Sequence, residues 1–496
     1  MPTPAAAPDI AALPALCVDL DGTLVKSDTL HDSALAVARK RPIDLLRIPG
    51  WLAGGKASLK RHLAEIVQLD VTHLPYNREL LQYLEQQRAA GRPIYLATAA
   101  DADTANRIAS HLGLFTGVLA SDGQTNLAGK NKLAAFQAKF GDSFSYIGNA
   151  LPDLPLLEHC QEPMVANPTP GLRAALRKAR VTPVRAFNER VNPLKSWLKA
   201  IRLHQWAKNV LIFVIPLLAH EWVKGIIAAT TIAFFSFGFC ASATYIVNDL
   251  LDLEADRMHP RKRRRPFASG DLSALSGIVL VVIFLAIALF LALLVPRAMV
   301  LSPEHLSFIR PHYFLLWLGI YLVTTLAYSL RLKRSVLVDV IVLSGLYTVR
   351  IIAGSAASGI PVSTWLGSFS IFFFLSLAFV KRFAELENLR DRGGVTAGGR
   401  GYHIADIEQL RSFGTASGYA SVVVLTLYIF TLDAAQLYAH TRRLWLIVPI
   451  LLLWISRLWL QASRGQLDED PVVYAITDRR SIFLGLLVVL VVLSAL

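Results

Sequence analysis

Cysteine is scarce in this chain: three in 496 residues, Cys17, Cys160 and Cys240. Their spacing matches no metal-ligand pattern, and three cannot build a disulfide framework. A zinc module and a cystine-stapled scaffold are both excluded. Charge is thin as well. Charged residues make up 17%, and 36 acids face 50 Lys and Arg, for a formal net charge of +14. Such a balance suits nucleic acid, but the excess bases lie beside apolar runs and no nucleic-acid-binding motif accompanies them. Basic loops facing anionic lipid or phosphorylated substrates fit better, so no nucleic-acid partner is expected. The opening stretch, MPTPAAAPDIAALPALCVDLDGT, has no basic n-region and no long apolar core, so no signal peptide is expected.

Apolar residues, by contrast, reach 54%, and they are unevenly spread. Residues 1–185 alternate short apolar runs with amphipathic stretches. Ala15–Leu20, Pro93–Thr98, Gly117–Ala120 and Ser143–Gly148 read as strands; Arg78–Ala90, Ala102–Leu112 and Lys132–Phe140 read as helices. That alternation predicts an α/β domain with a parallel sheet, interrupted after the first strand by a helical insert at about 28–74. A polar stretch, roughly Arg177–Lys195, leads to a linker at 186–200. From 201 to 496 apolar segments dominate. They predict an all-α bundle of nine spans: 209–219, 225–247, 275–295, 313–330, 336–358, 363–380, 416–432, 443–461 and 481–495. Alternate loops are rich in bases (Arg257–Arg265, Arg331–Arg334, Lys381–Arg411, Arg457–Arg480), and the opposite loops hold few (Lys224, Arg297, Arg310, Arg442, Arg443). The asymmetry predicts a multi-pass protein of the cytoplasmic membrane with its N-terminal domain inside.

The densest chemistry lies at the end of the second apolar run, in NDLLDLEADRMHPRKRRRPFASG, residues 248–270. On a helix Asp249, Asp252 and Asp256 share one face, and Asn248, Asp252 and Asp256 form an overlapping row. Carboxylates so crowded repel unless a cation sits among them, and Mg²⁺, which shares carboxylates with substrate phosphates, suits them. Arg257, Arg261, Lys262, Arg263, Arg264 and Arg265 follow and suit phosphate oxygens. A stop-transfer charge cluster explains the bases but not the spacing of the acids. Further on, Asp339 and Arg350 lie eleven residues apart in one span. Both fall on one face, roughly 16 Å apart, and must face the bundle interior or a polar cavity. Tyr328, Arg331, Lys333, Lys381, Arg382 and Glu385 stand at the ends of neighbouring spans.

In the first half, Asp19 and Asp21 of DLDGT close the first strand, where one carboxylate attacks phosphorus and the other moves the proton. Thr98 ends a later strand. Lys130 and Lys132 precede a helix, and Asn149 and Asp153 follow another strand. This ordered set, over most of residues 13–180, resembles the haloacid dehalogenase-like phosphatase superfamily. The resemblance implies a Rossmann-like phosphatase with a helical cap. It makes Asp19 the nucleophile, Asp21 the general acid/base, Thr98 the second-motif residue and Lys132, or else Lys130, the third-motif lysine. Mg²⁺ would be held by Asp153, Asp19 and the Asp21 carbonyl, with Asn149 standing where an Asp is more usual.

The spans with their cytoplasmic NDxxDxxxD motif resemble the UbiA superfamily of intramembrane prenyltransferases over about residues 200–496. Typical members carry a second Asp-rich motif; here YSLRLKRSVLVDV has only Asp339. The segments RLHQWAKN, NDLLDLEADRMHPRKRRRPFASG, YSLRLK, VLVDVIVLSGLYTVRIIAG and VKRFAEL are similar to the decaprenyl-phosphate phosphoribosyltransferase branch. That branch implies phosphoribosyl pyrophosphate as donor and a polyprenyl phosphate lipid as acceptor. Its substrate-binding positions here are Lys208, Asn209, Asn248, Arg257, His259, Lys262, Arg265, Tyr328, Lys333, Asp339, Arg350, Lys381, Arg382 and Glu385. Whether Lys333, Arg350 or Lys381 holds the lipid phosphate or the donor's 5-phosphate stays open. Fused to a phosphatase, such a transferase implies two steps: transfer of 5-phosphoribose, then removal of the 5-phosphate. The alternative is an aromatic-acceptor polyprenyltransferase with the soluble domain as a separate phosphatase or a non-catalytic regulatory module. Nothing in the chain excludes a homo-oligomer.

Overall fold

The computed structural model describes residues 13–122, 124–189, 192–299, 313–390, 401–467 and 471–496. The N-terminal dozen, Arg310 and residues 391–400 and 468–470 of the expected basic loops lie outside them. The chain divides into two compact units, residues 1–200 with 246–279, and residues 201–245 with 280–496.

The first unit is built on β1 (Ala15–Val18). The insert follows, with α1 (Thr29–Lys40), α2 (Ile48–Ala53) and α3 (Lys56–Ile66). Then come α4 (Arg78–Ala89), β2 (Ile94–Asp101), α5 (Ala102–Leu112), β3 (Gly117–Ser121), α6 (Lys130–Phe140), β4 (Phe144–Gly148), α7 (Leu154–His159), β5 (Pro163–Ala166), α8 (Pro170–Ala179), β6 (Arg185–Phe187) and α9 (Pro193–Ile201). The strands form one sheet in the order β3-β2-β1-β4-β5-β6, every pair parallel. Such a sheet is buried on both faces, which is why β1 reads as an unbroken apolar run with all four residues buried. The chain leaves β1 toward β2 on one side and β4 on the other. The crevice beyond their carboxyl ends is where ligands bind in sheets of this kind. The insert is helical, as expected, and closes its own small core of Ala36, Val37, Leu59, Leu63, Val67 and Leu69. β6 falls inside the stretch expected to be a polar linker. Its three residues are too few to show an apolar period, and only Phe187 is buried.

The remaining helices are α10 (Val214–Leu218), α11 (Lys224–Leu251), α12 (Leu253–Met258), α13 (Ala274–Met299), α14 (Tyr313–Leu330), α15 (Val338–Ser358), α16 (Thr364–Arg390), α17 (Ile407–Ile429), α18 (Leu432–Leu437), α19 (Ile447–Ser463), α20 (Pro471–Thr477) and α21 (Arg479–Ala495). Among the described residues seven helices are long and apolar enough to cross a membrane, not nine. The expected span at 209–219 is instead a 3₁₀ stretch, Leu203–Phe213, followed by the five-residue α10. The expected last span is α21, 17 residues long. The bundle core gathers Phe374, Phe379, Phe383 and Trp459 in one cluster and Phe237, Phe314 and Tyr321 in another. α13 shows the opposite, with Val282, Ile283, Leu289, Phe290 and Leu293 exposed, as a lipid-facing helix requires.

Arg92 ties the first unit's sheet together. Its buried guanidinium donates to the Pro14 carbonyl (2.8 Å), Gln87 Oε1 (3.0 Å), Ser145 Oγ (2.6 Å) and Glu162 Oε2 (2.6 Å). That hydrogen bond from Arg92 holds the Glu162 carboxyl below the usual carboxylate range. Its contribution is therefore full at neutral pH and is lost as pH falls through the lowered value. Arg92→Ala should cost about 1–3 kcal/mol, since the buried Ser145 hydroxyl and the part-buried Pro14 carbonyl lose their donor. Hydrogen exchange on the full chain checks it, as a loss of protection confined to residues 13–200.

Candidate active sites

β1 and β4 end side by side, and the loops beyond them carry the first set of polar groups. Lys132 reaches in from the first turn of α6, and its Nζ donates to Asp19 Oδ1 (2.7 Å) and to the Tyr146 hydroxyl (2.9 Å). Tyr146 in turn donates to Asp153 Oδ1 (2.7 Å), whose other oxygen accepts the Asn149 and Ala150 amides (2.9 and 3.0 Å). Lys130 is exposed, so of the two lysines only Lys132 enters this cluster. Thr98 is fully buried, and its hydroxyl oxygen accepts the Ala100 amide (2.9 Å). Asp21 Oδ1 accepts the Thr29 amide (2.7 Å) at the start of α1. Gly22 sits at φ +74°, and a Cβ there would lie 2.0 Å from Asn149 Nδ2, so only glycine allows the two loops to close.

Burial pushes the Asp19 carboxyl up to about 6, against the pull of the Lys132 charge. Burial and the neighbouring Asp28 charge push Asp21 up to about 7. Burial pulls the Lys132 ammonium down, and the charges of Asp19 and Asp153 more than offset it, leaving it raised. Asp19, just past β1, and Asp153, in the turn after β4, both lie within 4.0 Å of Lys132 Nζ, and two carboxylates so close supply oxygen donors of the kind that fit Mg²⁺. Tyr146 was missing from the sequence reading. The only signal for it is a phenol in the middle of a fully buried strand, where a hydroxyl must find partners.

In residues 246–279 the acidic motif lies on the last turn of α11 and on α12. Asp252 stands at the break between them, although its amide and that of Asp256 still bond one turn back (2.9 and 2.8 Å). Arg265 Nη1 lies 3.0 Å from Asp249 Oδ1 and 2.6 Å from Asp256 Oδ2. One positive nitrogen thus occupies the point on which two buried carboxylates converge. Asp252 Oδ1 is 3.4 Å from Arg39 Nη2. Among the described residues no three or more His, Cys, Asp or Glu side chains gather closely enough to hold a metal alone. Magnesium ordinarily completes its shell with water and substrate phosphate, so the Asp249–Asp256 pair still fits it. Asn248 is half-buried one residue before Asp249, and Lys262 is exposed. His259 Nδ1 accepts the Arg261 and Lys262 amides (3.2 and 3.3 Å) and shapes the turn. Arg257, expected on a substrate phosphate, is buried against Asp32, Ser27 and the Ala268 carbonyl.

In the second unit Asp339 and Arg350 do not pair. Asp339, at the start of α15, accepts from Arg382 of α16 and from the Tyr402 hydroxyl. Arg382 also donates to Glu385 and to the Tyr328 hydroxyl (2.8 Å). Arg350, two-thirds of the way along α15, is buried among neutral groups: Asn209 Oδ1 (3.0 Å), the Tyr321 hydroxyl (3.1 Å) and the Leu346 carbonyl. Its guanidinium lies over the Tyr321 ring, 4.8 Å from the centroid, and the buried Lys208 lies 5.4 Å from that of Tyr347. Asn209 is fully buried, and its Nδ2 has no hydrogen-bond partner among the described residues. Lys333 and Lys381 are half-buried. Tyr321 and Tyr402 were invisible in the sequence because their partners come from other helices.

The chain belongs to the UbiA prenyltransferase family, whose model matches residues 210–487. It is 40% identical to "Uncharacterized protein y4nM" of Sinorhizobium fredii, over 96% of this chain and 90% of that one. It is 32% identical to the decaprenyl-phosphate phosphoribosyltransferase of Mycobacterium tuberculosis, over 57% of this chain and 88% of the relative. Among solved structures, a HAD-family hydrolase from Salmonella enterica aligns with 33% of this chain and 66% of its own, at 16% identity and a TM-score of 0.26.

The buried Asp339–Arg382 pair yields a prediction. Arg382→Leu strands a carboxylate and should cost about 3–5 kcal/mol, whereas Arg382→Leu with Asp339→Leu should recover most of the loss. Thermal melting of the purified protein in detergent compares the two.

Proposed function

We propose that the chain transfers 5-phosphoribose from phosphoribosyl pyrophosphate to a polyprenyl phosphate, and that its first domain then removes the 5-phosphate. The observation that carries the reading is Arg350. Among the described residues its buried guanidinium is held by neutral groups, beside Lys208 and an Asn209 amide nitrogen with no acceptor, and such a group wants an anion. A prenyl diphosphate has no phosphate at its far end. Phosphoribosyl pyrophosphate has one, and a polyprenyl phosphate acceptor brings another. The absence of a second DxxxD and the similarity to decaprenyl-phosphate phosphoribosyltransferases support the same donor.

Asp249 and Asp256 would hold Mg²⁺ against the pyrophosphate, with Arg265 moving from the carboxylates to phosphate oxygens. The metal would supply Lewis-acid stabilisation of the charge on the leaving pyrophosphate. A lipid phosphate oxygen attacks ribose C1, the C1–O bond to pyrophosphate breaks, and no protein base is needed because the nucleophile is already an oxyanion. In the phosphatase domain Asp19 attacks the 5-phosphate while Asp21 protonates the departing 5-hydroxyl. Asp21 then takes a proton from the water that hydrolyses the aspartyl-phosphate. Lys132 neutralises charge on the phosphoryl group. Mg²⁺ there would be held by Asp19, Asp153, Asn149 and the Asp21 carbonyl. The bundle lies in the cytoplasmic membrane with the first domain inside the cell.

Incubation of the purified protein with phosphoribosyl pyrophosphate, Mg²⁺ and decaprenyl phosphate, followed by mass analysis of the lipid, tests the reading. The expected product is the lipid carrying ribose without its 5-phosphate. Transfer from a prenyl diphosphate to an aromatic acid, with none from phosphoribosyl pyrophosphate, would replace it with the aromatic prenyltransferase reading. Asp19→Asn should stop the sequence at the 5-phosphorylated lipid. Release of phosphate at the wild-type rate would show that the first domain's chemistry lies elsewhere. Arg350→Ala should raise KM for donor or lipid at least about tenfold, the value of one charge-assisted hydrogen bond.

A further inference from the structure

Helix α1 touches both proposed sites. At its first residue the Thr29 amide donates to Asp21 Oδ1 (2.7 Å), and Asp28 caps the turn by accepting the Leu30 and His31 amides (2.9 and 3.2 Å). In its last turn Arg39 lies 3.4 Å from Asp252, and Lys40 Nζ lies 2.8 Å from Glu254. Midway, Asp32 Oδ2 accepts Arg257 Nη1 (2.8 Å) and the Ser27 hydroxyl (2.7 Å), which itself accepts Arg257 Nη2 (3.0 Å). The Asp32 and Arg257 side chains are 2% and 6% exposed, so this pair is a buried bolt between α1 and the acidic motif. The loop that follows the motif is pressed onto the same region. Gly270 sits at φ +76°, and a Cβ there would lie 2.6 Å from Lys26 Cβ. From Thr29 to Arg39 the helix spans about 15 Å.

Resting on the transferase reading of the acidic motif, we propose that α1 is a mechanical link between the two sites: the charge around Asp252 sets how firmly α1 holds Asp21, and so sets the turnover of the phosphatase. A diphosphate brought to the motif competes with Asp252 for the Arg39 guanidinium and leaves the Asp32–Arg257 bolt in place. The helix then pivots about the bolt, and its first turn moves against Asp21. Coupling of this kind is reciprocal in binding free energy. Arg39 is a positioning residue, not a catalytic one.

The test reads the phosphatase alone, on the full-length protein in lipid nanodiscs, with p-nitrophenyl phosphate at saturating Mg²⁺. Arg39→Glu, and separately Asp252→Arg, should each lower kcat at least about fivefold with KM within about twofold, and the double exchange should return kcat to within about twofold of wild type. A loss in kcat with KM kept is what separates the link from a merely structural contact, whose loss would lower the folded fraction and the melting temperature as well. A double exchange no better than the worse single variant overturns the link, as do single variants with wild-type kcat. If a charge-reversed single variant does not fold, Arg39→Gln and Asp252→Asn make the same cycle. A double loss no greater than either single loss supports the link, and multiplicative losses overturn it. Lipid transfer is assayed in parallel on the wild type. A preparation that passes the exchange test but transfers no phosphoribose refutes the transferase reading and leaves the link standing.

Discussion

Taking a carboxylate out of water costs several kcal/mol unless a cation and hydrogen bonds replace the solvent. The arrangement of this chain follows from meeting that cost repeatedly. Asp19 has Lys132, Asp249 and Asp256 share Arg265, Asp32 has Arg257, and Asp339 has Arg382. All but the Arg265 contacts draw together elements far apart in sequence. Lys132 joins α6 to the end of β1; Arg382 joins α16 to α15; Arg257 joins the acidic motif to the insert after β1. The same pairs hold the acidic groups ready. A lysine or arginine between two carboxylates keeps them convergent, so that a proposed metal or phosphate would exchange with a side chain instead of assembling the site.

Much of this was legible in the sequence, and the boundary of legibility is physical. Buried parallel strands read as apolar runs, so β1, β2, β3 and β4 were found close to their observed ends. β6, of three residues, is too short to show a pattern. Asp249 and Asp256, seven residues apart, do converge on Arg265. Asp252 falls at the break between α11 and α12, and its contact with Arg39 of the insert could not be read from spacing along one helix. Asp339 and Arg350 do lie on one helix, but a face does not name a partner. The partners come from Asn209, Tyr321, Arg382 and Tyr402, on elements the one-dimensional reading could not orient. The expected crossing at 209–219 is not one long helix: ten apolar residues after Asn209, extended into their flanks, read as a span, but the chain there is a 3₁₀ stretch followed by a five-residue helix.

The two lysines at the start of α6 show how fine the discrimination is. Lys130 and Lys132 are two residues apart on a helix and so point about 200° apart. One is exposed and the other is 2% exposed against Asp19 and Tyr146. Composition and motif order admit either. Only the direction of the helix relative to β1 and β4 selects between them.

The length of α11 has a consequence for how its charged end can be placed. Its 28 residues extend about 42 Å, whereas the hydrocarbon layer is about 30 Å thick. About 12 Å of the helix, some eight residues, has no acyl chain to cover it, and the end that carries Asn248 and Asp249 is the one whose polar groups are costly to bury in hydrocarbon. On the proposed reaction this would let a lipid keep its tail in the bilayer and a sugar phosphate stay in water while their phosphates meet, so that neither has to be dehydrated in the other's solvent.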